Sequence, residues 1–255
     1  MNIVITNDDG WGADGIMLLT RLLKPFGKLY VVAPDGARSG MSNSVTPNRP
    51  ITLRHLTEAD GQNEAEKRLL KDAEVYVSSG TPSDCVKLAI NVVFKGDDKQ
   101  IDLLVSGINH GSNAAINLIY SGTIGACFVA AEHRIPAIGF SIYDMSQHPD
   151  FKQLERYLPD VVRHLLDEGI KPGLCYNVNA PAGEIKGIKW TRQCLSHWEK
   201  EMKASTLESG ETVYSLSGYM VNDEPEATDT DEWALTHGYL SIQPCTVDMT
   251  AYGAL

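Results

Sequence analysis

From Asn2 to about Val178 the chain repeats one unit: a short apolar run ending in a polar loop, then a stretch with helical spacing. That alternation points to a parallel sheet covered by helices, because parallel strands need a long crossover and the crossover helix must bury its apolar stripe against the sheet. The pattern predicts strands over Asn2–Thr6, Lys28–Ala33, Glu74–Ser78, Ile101–Ser106, Ala137–Ile142 and Leu174–Val178. It predicts helices over Gly15–Leu23, Pro82 to about Phe94, about Gly122–Arg134, and Phe151–Glu168. Thr81 is positioned as an N-cap with Pro82 in the first turn, where a missing N–H costs little. Val45–Leu53 reads as extended, and the acidic stretch Glu58–Asp72 reads as exposed and solvated.

Beyond about Ile185 the period changes. KGIKWTRQCL, TVYSLSGYM and GYLSIQP alternate apolar and polar residues, which predicts antiparallel hairpins. The expected organisation is therefore an α/β core over 1–184, doubly wound around a mostly parallel sheet. A C-terminal β-hairpin extension over 185–255 would follow, its last strand returning to the core. Aromatic residues in this tail, Trp190, Trp198, Tyr214, Tyr219, Trp233 and Tyr239, suit a core or a subunit interface better than a stacking surface.

Charge narrows the function. Asp plus Glu number 33 against 22 Lys plus Arg, a formal net charge of −11. Such a surface repels nucleic-acid polymers and anionic membranes, so an anionic small molecule would need a local positive element. No run of about 18 apolar residues occurs, so no transmembrane helix is expected. The first residues lack the basic and apolar regions of a signal peptide. The five cysteines are scattered singly, which suits reduced, buried thiols and a cytoplasmic setting.

In an open parallel sheet, ligands collect beyond the carboxyl ends of the strands. The loop after the first strand is Asn7-Asp8-Asp9-Gly10. Its adjacent carboxylates repel unless a cation or strong donors stabilise them, and a hard divalent ion or a helix-capping role would each account for them. Arg38-Ser39-Gly40-Met41-Ser42-Asn43-Ser44 offers hydroxyls, an amide and a glycine, or an ordinary polar turn. Gly107-Ile108-Asn109-His110-Gly111 lacks both a dinucleotide fingerprint and a phosphate-loop lysine. Asn109 there brings a neutral amide oxygen or a turn residue, and neither His110 nor His133 is assigned a role. Tyr120-Ser121-Gly122-Thr123-Ile124-Gly125 opens an apolar helix whose start suits a phosphate or a cap.

Taken in order, NDDG, APDGARSGMSNSVT, SSGTPSDCV, DLLVSGINHGSN and YSGTIGA resemble the survival protein E (SurE) family of metal-dependent nucleotidases. The match is strong from residue 2 to about 142 and continues through Tyr176-Asn177-Val178-Asn179-Ala180-Pro181. The resemblance implies a Rossmann-like core with a C-terminal extension used in forming a homodimer or homotetramer. It implies one Mg2+ or Mn2+ per subunit held by Asp8, Asp9, Ser39 and Asn109, and hydrolysis of nucleoside 5'- or 3'-monophosphates to nucleoside and phosphate. Where many members carry Leu-Gly-Asp-Asp, this chain has Ala114-Ala115-Ile116-Asn117, so an acidic contribution at the pocket rim is missing.

On this reading Asp8 and Asp9 are the catalytic candidates. Backbone N–H groups near Gly40, Gly107 and Ser121-Gly122-Thr123 would cradle the phosphate, with Asn43 and Ser106 adding side-chain hydrogen bonds. Two other readings stay open: Asp8 as an aspartyl nucleophile, although Gly10 breaks the DxD spacing, and a non-catalytic nucleotide- or metal-sensing module.

Overall fold

The computed structural model of the chain describes residues 1–96, 100–144, 146 and 149–252. In chain order the first half comprises β1 (Asn2–Thr6), α1 (Asp14–Leu23), β2 (Lys28–Pro34), β3 (Leu53–Leu56), α2 (Glu64–Asp72), β4 (Glu74–Ser78), α3 (Pro82–Leu88) and β5 (Leu103–His110). The second continues with α4 (Gly122–Glu132), β6 (Ala137–Tyr143), α5 (Lys152–Glu168), β7 (Leu174–Pro181), β8 (Ile188–Trp190), β9 (Ser196–Glu199), β10 (Met202–Thr206), β11 (Thr212–Leu216), β12 (Tyr219–Asn222), α6 (Asp231–Thr236) and β13 (Leu240–Thr246).

Nine strands form one sheet in the order β3-β4-β2-β1-β5-β6-β7-β13-β8. The six strands from β4 to β7 are mutually parallel, while β3 and β13 join antiparallel to β4 and β7. Strand order reverses between β1 and β5: the chain first builds outward through β2 and β4, then crosses back to lay β5 on the other side of β1. That reversal splays the flanking loops apart and opens a crevice at the carboxyl ends of β1 and β5.

The central strands are apolar on both faces, as burial between two helix layers requires. Ile3, Ile5, Leu29 and Val31 pack under α1, α2 and α5 through Ile16, Leu19, Leu69, Leu158 and Val161. Their neighbours Val4, Tyr30 and Val32 turn to the opposite face and meet α3 and α4 through Val86, Ile124 and Phe128. Helix α4 is buried from Gly122 through Ala131, which explains why its sequence has no polar stripe.

The α/β, Rossmann-like fold with antiparallel hairpins in the tail agrees with expectation; several local expectations do not. Of the segment expected to be extended at Val45–Leu53, only its last residue, Leu53, lies in a strand, as the first residue of β3. The acidic stretch contains α2, capped by the Asn63 side chain on the Glu66 N–H and anchored through Leu69 and Leu70, an apolar pair masked by surrounding charge. The helix expected from Pro82 to about Phe94 does run to Val93, but only to Leu88 as α-helix, with a π-helical turn over Ala89–Val93. β5 starts at Leu103 and extends past Ser106 to His110, so Gly107 and Asn109 lie in a strand that shifts register against β6, not in a free loop. In the tail, KGIKWTRQCL forms no antiparallel hairpin: β8 pairs parallel with β13. TVYSLSGYM splits near Gly218 (φ 105°), with β11 pairing β10 and β12 pairing β9.

Candidate functional site

The turn after β1 is closed by its own asparagine. Asn7 accepts from the Gly10 N–H at 3.1 Å and donates to the Gly10 carbonyl at 2.9 Å, both contacts buried. Gly10, at φ 100°, packs so close to Gly36 that an added Cβ would stand 3.1 Å from the Gly36 Cα. With the turn clamped this way, Asp8 and Asp9 are held where β1 ends.

Asp8 is almost wholly buried. Its Oδ1 accepts the Thr123 hydroxyl at 2.6 Å, and its backbone carbonyl accepts the Arg38 N–H at 2.6 Å. Gly122 approaches so closely that a Cβ there would lie 3.0 Å from the Asp8 Cβ. Burial raises the Asp8 pKa to about 6, the charge of Asp9 adds to the rise, and the Thr123 hydrogen bond opposes it. Burial also raises Asp9, against the stabilising His110 backbone N–H.

Asn109 presents its oxygen by elimination. Its Nδ2 donates to the Gly111 carbonyl at 2.7 Å and faces Asn113 Oδ1 at 3.4 Å, so the amide orientation leaves Oδ1 outward. The Ser39 loop is tied down from its far end. Ser42 donates through its N–H to the Tyr120 carbonyl (3.1 Å) and through its hydroxyl to Ile119 (2.6 Å), while Thr81 Oγ1 donates to the Ser44 carbonyl (2.6 Å). Gly125 makes this approach possible, since a Cβ there would sit 2.2 Å from the Ser42 oxygen.

Asp8, Asp9, Ser39, Gly40, Asn109 and Ser121 line one open cavity of about 540 Å3. Asn43, Ser106, Gly107, Gly122 and Thr123 are not on its wall. Thr123 and Gly122 lie behind Asp8 and shape its seat. Ser106 is fully buried, with a hydroxyl that meets no partner among the described residues. Asn43 is exposed beside Gly125. Ser121 caps α4, accepting from the Ile124 N–H at 3.1 Å. Two carboxylates, one amide oxygen and one hydroxyl at the same opening form the hard, all-oxygen donor set that suits a divalent ion such as Mg2+ or Mn2+. The two raised carboxyls show that the protein alone compensates their charge poorly.

Sequence reading did not single out the layer that holds Asn109. Asn113 donates through Nδ2 to Ser141 at 2.6 Å and through its N–H to Asn179 Oδ1 at 2.9 Å, and Asn177 donates to the Asn113 carbonyl at 2.9 Å. Asp231, buried at the start of α6, accepts the Ala115 and Cys194 N–H groups at 2.8 and 2.9 Å. Thr-Asp-Glu ahead of an apolar run is a helix-start signal that would have revealed α6, but its reach across more than a hundred residues leaves no local trace.

The sheet and crevice define a doubly wound α/β protein with a mixed oxygen donor set at its switch point. The Survival protein SurE family model matches residues 3–200, and the chain belongs to that family. Similar relatives include the 5'-nucleotidase SurE of Christiangramia forsetii, 41% identical over 98% of this chain and 92% of the relative. The 5'-nucleotidase SurE of Bacteroides fragilis is 40% identical over 98% and 93%. Among solved structures, the SurE protein from Aquifex aeolicus superposes with a TM-score of 0.81 at 31% identity, covering 100% of this chain and 97% of that one.

Proposed function

We propose that the chain is a phosphomonoesterase that uses one Mg2+ or Mn2+ per subunit to hydrolyse nucleoside 5'-monophosphates, and also 3'-monophosphates, to nucleoside and phosphate. The observation that carries the reading is the convergence of Asp8, Asp9, Ser39 and Asn109 on one crevice, in a chain whose relatives carry the name 5'-nucleotidase. Those four side chains would hold the ion. A bound ion supplies Lewis acidity and the positive charge that lets a chain of net charge −11 accept a phosphate.

The chain's own groups do the positioning. Asp8 is fixed by Thr123, so its free oxygen keeps one direction. Asp9 is oriented by the His110 N–H. Backbone N–H groups around Gly40 at the cavity wall are suited to equatorial phosphate oxygens as charge builds there. Hydrolysis then proceeds by direct attack of water on phosphorus, with the nucleoside oxygen leaving and taking up a proton. Phosphate release from a panel of nucleoside 5'- and 3'-monophosphates, with Mn2+, Mg2+ or chelator, tests the reading. Turnover should appear only with metal; absence of metal-dependent release from every member would refute it.

Among the described residues the β10–β11 ribbon pairs with no other strand, and Met202, Tyr214 and Leu216 are 65%, 69% and 78% exposed on it. An isolated two-stranded ribbon is marginal in water and its apolar surface calls for a partner, so we assign it to subunit association in a homodimer or homotetramer. Light scattering at micromolar concentration should report more than one subunit, and deletion of residues 202–216 should lower that number. A monomeric mass for the full chain counts against the assignment.

A further inference from the structure

A second cavity of about 490 Å3 adjoins the first, and both share Asn117, Tyr120, Trp198 and Gly218 as walls. Leu216 and Ser217 close its far side. One chamber is therefore acidic and rich in oxygen donors, and its neighbour is walled by two flat aromatic rings, an aliphatic chain and one acidic side chain, Glu201.

The wall between them is rigid. The turn that carries Asn117 is held by Asp231 on the Ala115 N–H (2.8 Å), by Ser196 on the Ile116 N–H (3.1 Å), and by Gln193 donating to the Ala115 carbonyl (2.8 Å). Trp198 stands on β9, paired with β12, and its indole N–H donates to Asn117 Oδ1 at 3.0 Å. An indole N–H is a donor only, so the atom facing it must be the amide oxygen. That single contact fixes the Asn117 amide, and its NH2 has no partner among the described residues. The Trp198 contact takes one lone pair of Oδ1 and fixes the amide plane, so the NH2 is the unpartnered face that Asn117 offers to a ligand in this cavity.

We propose that this chamber receives the purine base of the substrate, stacked against Trp198 and Tyr120, and that Asn117 selects a 6-oxopurine over a 6-aminopurine. The inference rests on the nucleotidase reading, which places a phosphate at Asp8 and Asp9 and so requires a seat for the base nearby. Aromatic rings are suited to stacking on any base face, and the chamber's volume admits a bicyclic ring. Discrimination comes from the amide. Along one edge a 6-oxopurine presents two acceptors, O6 and N7, which a fixed NH2 satisfies. Adenine presents N7 beside the N6 amino donor, which meets the same NH2 donor to donor.

The test uses the full chain with Mn2+. It compares kcat/KM for inosine and adenosine 5'-monophosphates, and calorimetric affinities for inosine and adenosine, which carry no phosphate and report the base seat without turnover. The expected wild-type preference for the inosine compounds is about tenfold in both readouts. Asn117→Asp keeps an acceptor for Trp198 and replaces the donor by an acceptor, so it should lower that preference by about tenfold. Trp198→Ala should weaken both nucleosides by about tenfold through lost stacking, and should also lower the inosine preference because the contact that fixes the Asn117 amide goes with it. Equal handling of the two bases by wild type, an unchanged ratio in Asn117→Asp, or undiminished nucleoside binding in Trp198→Ala would overturn the inference. Hydrolysis of both nucleotides without discrimination would leave the nucleotidase reading standing while this inference falls. Selective inosine binding, lost in Asn117→Asp, without hydrolysis would do the reverse.

Discussion

Asp8→Asn is expected to make the metal-free protein more stable at pH 8 and to abolish metal-dependent phosphate release. Burial, assisted by the charge of Asp9, raises the Asp8 pKa to about 6 against an ordinary 3.8. The folded state thus binds this proton more tightly than the unfolded chain does, and between those two values stability falls as pH rises. Above about pH 6 the ionised Asp8 costs its full amount, roughly 3 kcal/mol for a shift of about two units. Below about pH 4 that cost is gone. Asparagine keeps an oxygen for the Thr123 hydroxyl and carries no charge, so in chelator at pH 8 the variant should melt several degrees higher, at about 2–4 °C per kcal/mol. The gap should close as pH is lowered towards 4. Addition of Mn2+ should reverse the order, because only a chain that binds the ion gains stability from it. Activity should fall by about a hundredfold or more, the scale set by removing one preorganised charge contact. A variant that melts lower than wild type in chelator at pH 8, or that retains full turnover, would contradict the role given to Asp8.

Gly15→Ala should be among the most damaging single methyl groups one can add. A Cβ at position 15 would stand 2.1 Å from the Ile108 carbonyl oxygen and 3.1 and 3.2 Å from the Ile108 C and N. All three are backbone atoms of β5, and the Ile108 side chain is itself buried in the core with Asn109 and His110 paired to β6 just beyond it, so this backbone has little room to retreat. Helix α1 must lift instead. Alanine's helical advantage over glycine is about 1 kcal/mol, whereas overpacking costs about 1–3 kcal/mol and more where nothing yields. The expected result is a midpoint lowered by about 5 °C in calorimetry. The Mn2+ concentration for half-maximal activity should also rise, because Asn109 follows Ile108 directly. Gly36→Ala, where a Cβ meets nothing within 4 Å, is the matched control and should melt like wild type.

The parallel core was legible because each central strand contains a short apolar run and most crossovers carry a helical period. Long-range assembly was less legible. Thr123 read as a phosphate-cradle residue, yet its hydroxyl turns inward to Asp8, 115 positions away in the chain. Gly107 and Asn109 read as loop because glycine and asparagine punctuate, whereas pairing with Ser141 and Ile142 of β6 keeps that segment in the sheet. Helix α2 was hidden by charge, since two leucines suffice to seat a helix that is otherwise solvated. β8 alternates like a hairpin strand, and only β13, some fifty residues later, determines that it pairs parallel.

The reversal of strand order between β1 and β5 also has a consequence for folding. Asp8 and Asp9 belong to the half of the sheet that contains β2 and β4, and Asn109 belongs to the strand that begins the other half. The ion proposed for these side chains would span the seam between them, so its affinity would depend on how closely the two halves are docked. Any displacement along β1–β5 would part those donors, so release of the ion would be its readout.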